Sequence, residues 1–136
     1  MANPRFLNPK TIAPPPGNGY THVVEATGPG RTIYIAGQLG LAIDGSLVGQ
    51  SGDFRLQAKQ AFENLREALE AAGAGFGDVV KVTNFLTDIK HLSILREVRN
   101  AYFNMSAPPA STTIAVAALA REGALFEIDA IAMLPA

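Results

Sequence analysis

Polar residues set inside apolar segments are the places where this chain has the means for chemistry. Glu127 and Asp129 interrupt the run Leu125-Phe126-Glu127-Ile128-Asp129-Ala130-Ile131. Two positions apart on a strand, they share one face. An unpaired buried carboxylate is costly, so at least one of them is hydrogen-bonded, lines an interface or works in a pocket. Glu127 also reads as an ordinary exposed strand residue. Ser111 and Thr113 alternate with Thr112 and Ile114 and share a face in the same way. Gln38 lies between Gly37 and Gly40, a spacing that lets backbone come close to a ligand or another chain.

Other chemistries find no foothold. His22 and His91 fall on different predicted elements with no second ligand type beside either, so no metal site is expected. With no cysteine there are no disulfides, thiolate sites or sulfur nucleophiles, which fits a reducing compartment. Gly-x-Ser-x-Gly, P-loop and dinucleotide fingerprints do not occur. Gly73, Gly75 and Gly77 follow a predicted helix instead of opening one, the wrong place for a phosphate cradle.

The elements that must position these residues follow from the pattern. Residues 1–19, with prolines at 4, 9, 14, 15 and 16, read as an extended arm, and a single domain is expected over 20–136. Strands are expected over Tyr20–Glu25 and Thr32–Ala36. Asp44-Gly45 signals a hairpin between Leu41–Ile43 and Ser46–Val48. Asp53 is a helix cap, and Phe54, Ala58, Ala61, Phe62, Leu65, Ala68, Leu69 and Ala72 draw one apolar stripe ending at Gly73. A strand over Asp78–Thr87 with Val80, Val82 and Leu86 on one face comes next. A second helix from Asp88 carries Ile89, Leu92, Leu95, Val98 and Tyr102 until Pro108-Pro109 stops it. Ser111–Ala118 and Leu125–Leu134 are the last strands. Two helices on one face of a mixed sheet leave the other face needing cover.

Composition says what supplies that cover. The 136 residues are 48% hydrophobic and only 17% charged, against ~25% charged in ordinary domains. A chain this small and this apolar is expected to hide surface against further copies of itself, the alternative being an unusually apolar monomer. No apolar run approaches the ~18 residues of a membrane span, and no basic-then-apolar leader opens the chain, so a cytoplasmic location is expected. Eleven basic against twelve acidic residues leave no electrostatic footprint for nucleic acid.

Several stretches together resemble a known family: Tyr20-Thr21-His22-Val23-Val24, Ile33-Tyr34-Ile35-Ala36-Gly37-Gln38, Gln60-Ala61-Phe62-Glu63-Asn64-Leu65, the run 78–88, Pro109-Ala110-Ser111-Thr112-Thr113 and Phe126-Glu127-Ile128-Asp129-Ala130-Ile131-Ala132. In order and spacing, from Tyr20 to Met133, they are similar to the RidA (YjgF/YER057c/UK114) family. The resemblance implies a chorismate-mutase-like α+β domain, a mixed sheet with two helices on one face, assembled as a homotrimer with ligand-binding clefts between subunits. It further implies cofactor-independent hydrolysis of enamines and imines, such as 2-aminoacrylate and 2-iminopropionate, to keto acids and ammonia. The expected partners are a small-molecule metabolite and the chain itself, with neither nucleic acid nor membrane.

The same resemblance implies roles for single residues. Tyr20 stands at the family's tyrosine, Gly37 at the glycine preceding its glutamine (here Gln38), and Asp129 at a shortened form of the acid that orders water. Tyr20 and Asp129 are thus the catalytic candidates, and Ser111, Thr113, Gly37 and Gln38 the substrate-binding ones. The family's carboxylate-gripping arginine lies in a Pro-Ala-Arg-Ser pattern, and here Ser111 occupies its place. A hydroxyl brings neither the charge nor the bidentate geometry. Arg96 and Arg99 on the second helix either reach the cleft and partly replace that cation, or sit on a solvated face. The readings that follow are a deaminase of altered specificity, a non-catalytic metabolite-binding trimer and, last, an endoribonuclease.

Overall fold

In the computed structural model, residues 4–11, 14–15 and 19–136 are described. The arm is drawn into the fold at one point: β1 (Arg5–Leu7) pairs antiparallel with β2 (Val23–Glu25) as a small separate sheet. The expected strand over Tyr20–Glu25 therefore keeps only its last half. Its first half is tied elsewhere, since the Thr21 hydroxyl donates to the Pro108 carbonyl at 2.6 Å and the Thr21 amide to the Pro109 carbonyl at 3.3 Å.

The main sheet is built from β3 (Gly30–Leu39), β4 (Val79–Leu86), β5 (Ala110–Ala115) and β6 (Phe126–Pro135), in spatial order β3-β6-β4-β5. Only the β4–β5 pair is parallel; β6 runs antiparallel to both neighbours. The edges of this sheet are thus β3 and β5. The 41–48 segment contributes a turn but no strands: Gly45 takes φ 86°, Asp44 accepts from the Ser46 amide and hydroxyl, and a single bridge joins Leu41 to Leu47.

Asp53 caps α1 (Phe54–Ala71) by accepting from the Leu56 amide at 3.0 Å, and Gly73 at φ 78° follows its end. The apolar stripe packs on the sheet as its spacing dictates, with Phe62, Leu65 and Leu69 fully buried against Phe126 and Ile128 of β6. Gln57, a polar residue absent from that stripe, is fully buried too. Its amide donates to the Gly49 and Gly123 carbonyls and accepts from the Leu125 amide at 2.8 Å, tying two loops and the start of β6 to α1. Gly40 is needed because a Cβ there would strike the α1 backbone at Gln57.

On β4 a bulge between Val79 and Lys81 shifts the register, so the buried row is Val79, Val82, Asn84 and Leu86 and leaves Val80 out. The helix after it starts in two steps. Asp88 caps a 3₁₀ turn over Ile89–His91, and α2 (Leu92–Asn100) follows with Leu95 and Val98 in the core. α2 ends well before Pro108; beyond it Tyr102 and Phe103 continue the apolar packing from turns, through hydrogen bonds to the Arg99 carbonyl. Both helices feed the same core, and on β6 the residues between the buried ones, Glu127, Asp129, Ile131 and Met133, face away from it. No helix among the described residues is long and apolar enough to cross a membrane.

Candidate functional site

The residues expected to act together fall into two groups, one beside the β5 edge of the main sheet and one around β3 and the interior strand β6 next to it. The first lies where α2 overhangs β5. Ser111 and Thr113 point to the core side of β5, and the buried Asn84 amide on the neighbouring strand lies 3.2 Å from each hydroxyl. This is ordinary satisfaction of a buried amide, and it fixes both side chains. Thr21's bonds to Pro108 and Pro109 bring Tyr20 alongside, and the Arg99 guanidinium reaches the Gly19 carbonyl at 3.2 Å from the helix side. Together Tyr20, Asn84, Arg96, Arg99, Ser111 and Thr113 wall an open cavity of about 730 Å³, with Leu92 and Leu95 as its apolar part. Burial, and after it the like charge of Arg96, draws the Arg99 guanidinium below its ordinary value.

The second group surrounds an irregularity in β3. The register slips between Ile35 and Gln38, so that Ala36 and Gly37 bulge opposite Asp129, whose neighbours Ile128 and Ala130 pair with Gln38 and Ile35. Glu127 folds its carboxylate over the bulge: a Cβ at Gly37 would overlap it. The close approaches that Gly37 and Gly40 permit are therefore to the chain's own Glu127 and α1. Gln38 turns its amide to the Ala36 carbonyl at 3.0 Å. On the helix side, Asn64 holds the end of β3 by donating to the Leu39 and Leu41 carbonyls. Gly37, Gln38, Gln60, Glu63, Asn64 and Glu67 line a second open cavity of about 660 Å³. The Tyr102 hydroxyl donates to Glu63 at 2.7 Å, which holds that carboxylate below its usual range. Burial first, then Glu63, pushes the phenol up to about 12.

Asp129 and Tyr20 consequently do not meet within one chain. Asp129 lies on the interior strand β6, in register with Thr83 of β4 and on the face away from the helices, whereas Tyr20 borders the cavity on the helix side of β5. Asn84 and Glu127 belong with the candidates as much as any residue assigned from the sequence. Asn84 was detectable as a polar side chain at a core position between Val82 and Leu86; nothing local signals that Glu127 covers Gly37. The histidines serve packing, His91 stacked on Phe54 at 4.5 Å and His22 edge-on to Tyr20 at 5.4 Å.

Comparison with known proteins speaks to the family and the fold. The family model described as Endoribonuclease L-PSP matches residues 11–134. A mouse 2-iminobutanoate/2-iminopropanoate deaminase is 43% identical over 124 residues, covering 90% of this chain and 87% of its own. A RutC family protein of Synechocystis is 34% identical, covering 90% and 92%. Among solved structures, a Rid-family protein of unknown function from Yersinia pestis superposes with a TM-score of 0.87 at 36% identity, covering 97% of this chain and 99% of its own. RidA from an Antarctic Psychrobacter gives 0.71 at 37%, covering 82% and 88%.

Proposed function

Because the chain belongs to the RidA family, the group described by the Endoribonuclease L-PSP model, we propose that it hydrolyses small imines or enamines in clefts shared between copies of itself. The observation that carries this reading is the division of labour across the sheet. The β5-edge cavity holds hydroxyls, the amides of Asn84 and Asn100 and two guanidinium groups but no carboxylate, while Glu127 and Asp129 flank the β3 bulge. Hydrolysis of an iminium needs both kinds of group near one carbon. In one chain Ser111 and Thr113 point to the helix side of the sheet and the carboxylates of the interior strand β6 to its other face, so the carboxylate-bearing face of one copy must meet the β5-edge cavity of the next. A homotrimer closes three such clefts.

In the cleft, the β5 edge holds the substrate, with Tyr20, Ser111 and Thr113 shaping the pocket. A carboxylate of the β6 pair takes a proton from water as its oxygen attacks the iminium carbon. The same proton is returned to the amine of the resulting carbinolamine. As the carbon–nitrogen bond breaks to release ammonia, the carbinol hydroxyl gives its proton to the carboxylate and its oxygen becomes the carbonyl of the keto acid; the carboxylate then loses that proton to solvent. Asp129, opposite the bulge, and Glu127, lying over Gly37, share this assignment. No organic cofactor or metal enters these steps.

Ser111 is the point at which specificity departs from that of the mouse relative's named substrates. A hydroxyl in place of a guanidinium forgoes a charged hydrogen bond worth ~1.5–3 kcal/mol. With 2-iminopropanoate generated in solution, ammonia release by the native protein should exceed the uncatalysed rate only modestly. Ser111→Arg should raise kcat/KM by ~10-fold or more. Saturable ligand binding without turnover in either protein replaces the deaminase with the metabolite-binding reading. RNA cleavage that persists through purification would favour the nuclease instead.

A further inference from the structure

Arg96 and Arg99 are three positions apart on α2 and so project from one face of it, and both reach the wall of the β5-edge cavity. Three other arginines are neutralised, Arg5 by Glu25, Arg55 by Glu97 and Arg66 by Glu63, whereas Arg31 and Arg121 lie apart from one another and from this cavity without an ion pair among the described residues. Arg96 and Arg99 form no ion pair among the described residues, and no Asp or Glu lines their cavity. This concentration of positive charge occurs in a chain whose formal charge is −1. Arg99 is also aimed. Its Nε and Nη2 donate to the Asn100 side-chain oxygen and its Nη1 to the Gly19 carbonyl, which fixes the guanidinium plane. Three of its five N–H groups are thereby used, and the others have no partner among the described residues. A half-buried cation beside a like charge is an unfavourable arrangement until an anion enters.

We propose that Arg99 and Arg96 form the anion clamp of this cleft, placed on the helix instead of on β5, and that the pair selects substrates carrying two carboxylates, the 2-imino dicarboxylates. This rests on the deaminase reading for its chemistry but not for its binding. Arg99, held in place, grips the carboxylate next to the imine carbon, and the exposed Arg96 takes the distal one. Ser111, Thr113 and Asn84 supply a neutral floor between them that leaves room for the longer chain. A monoanionic imine satisfies only half of the clamp.

The stable products of the two substrate classes, 2-oxoglutarate and pyruvate, test the clamp by calorimetry without any need for turnover. The native protein should bind 2-oxoglutarate ~10-fold or more tightly than pyruvate. Arg96→Gln should erase that preference, and Arg99→Gln should weaken both ligands by ~10-fold or more, with Arg99→Lys between. Equal affinities for the two acids, or affinities indifferent to both substitutions, overturn the clamp. So does dissociation of the variants into single chains by light scattering, because the arginines would then be serving carboxylates of a neighbouring copy. Turnover of 2-iminoglutarate and 2-iminopropanoate is measured alongside. Selective 2-oxoglutarate binding with no turnover supports the clamp and removes the deaminase reading; turnover unaffected by either arginine does the reverse.

Discussion

At the scale of single residues, Gly37 and Glu127 form a contact whose removal separates structure from chemistry. Gly37 lies in a bulge, and the three atoms nearest to a side chain there all belong to the outer part of the flexible Glu127 side chain. Gly37→Ala should therefore fold, with the carboxylate swung aside at a cost of ~1 kcal/mol or less. If Glu127 handles the proton, kcat should fall ~10²-fold, the usual worth of a positioned acid–base group, while KM changes little. A drop in melting temperature large enough to explain the lost rate would place Glu127 in the framework and return the relay to Asp129. Ser111 teaches the complementary lesson. Its hydroxyl is committed to Asn84 at 3.2 Å, so in this fold it helps to build the cavity wall as well as vacating space for a ligand.

At the scale of elements, α1 is more than an amphipathic lid. Its buried Gln57 satisfies two loop carbonyls and the amide that starts β6. Gln57→Ala leaves those groups without partners, and each orphaned buried group costs ~1–3 kcal/mol. We expect a loss of ~2 kcal/mol or more by urea unfolding; a loss below ~0.5 kcal/mol, the range of ordinary surface changes, would show that water takes over these bonds. α1 and the alternation on β5 and β6 were legible because 3.6-residue and two-residue periods report which face is buried. Gln57 was not, since a glutamine beside an apolar stripe looks the same whether it meets solvent or backbone. The β4 bulge, the two-step start of α2 and its early end were also hidden. Each depends on what the neighbouring strand or turn does, not on local preference.

At the scale of the whole molecule, the apolar excess has a location. Tyr34 is 78% exposed on β3 and lies in register with Ile131, on the sheet face away from the helices; Ile114, in register with Phe85, is also exposed. Exposed apolar side chains on this face are what the proposed assembly would cover. Light scattering should give three times the chain mass of 14.3 kDa. Tyr34→Glu should shift the protein toward single chains and abolish imine hydrolysis together with assembly. A native protein of single-chain mass, or an active monomeric variant, would remove the shared cleft and the function built on it.

The amino-acid order alone determined the family, the α+β class, the capped helix and the faces shared by Ser111 with Thr113 and by Glu127 with Asp129, because these are local periodicities or matched stretches of residues. Only the tertiary structure decided that Asn84 locks Ser111, that Glu127 covers Gly37, that Arg96 and Arg99 border the same cavity as Ser111, and that the acids of β6 point to the other face of the sheet. Those relations join residues that are distant in the sequence, as Gly37 and Glu127 are, and they exist only once strand order and register have brought the elements together.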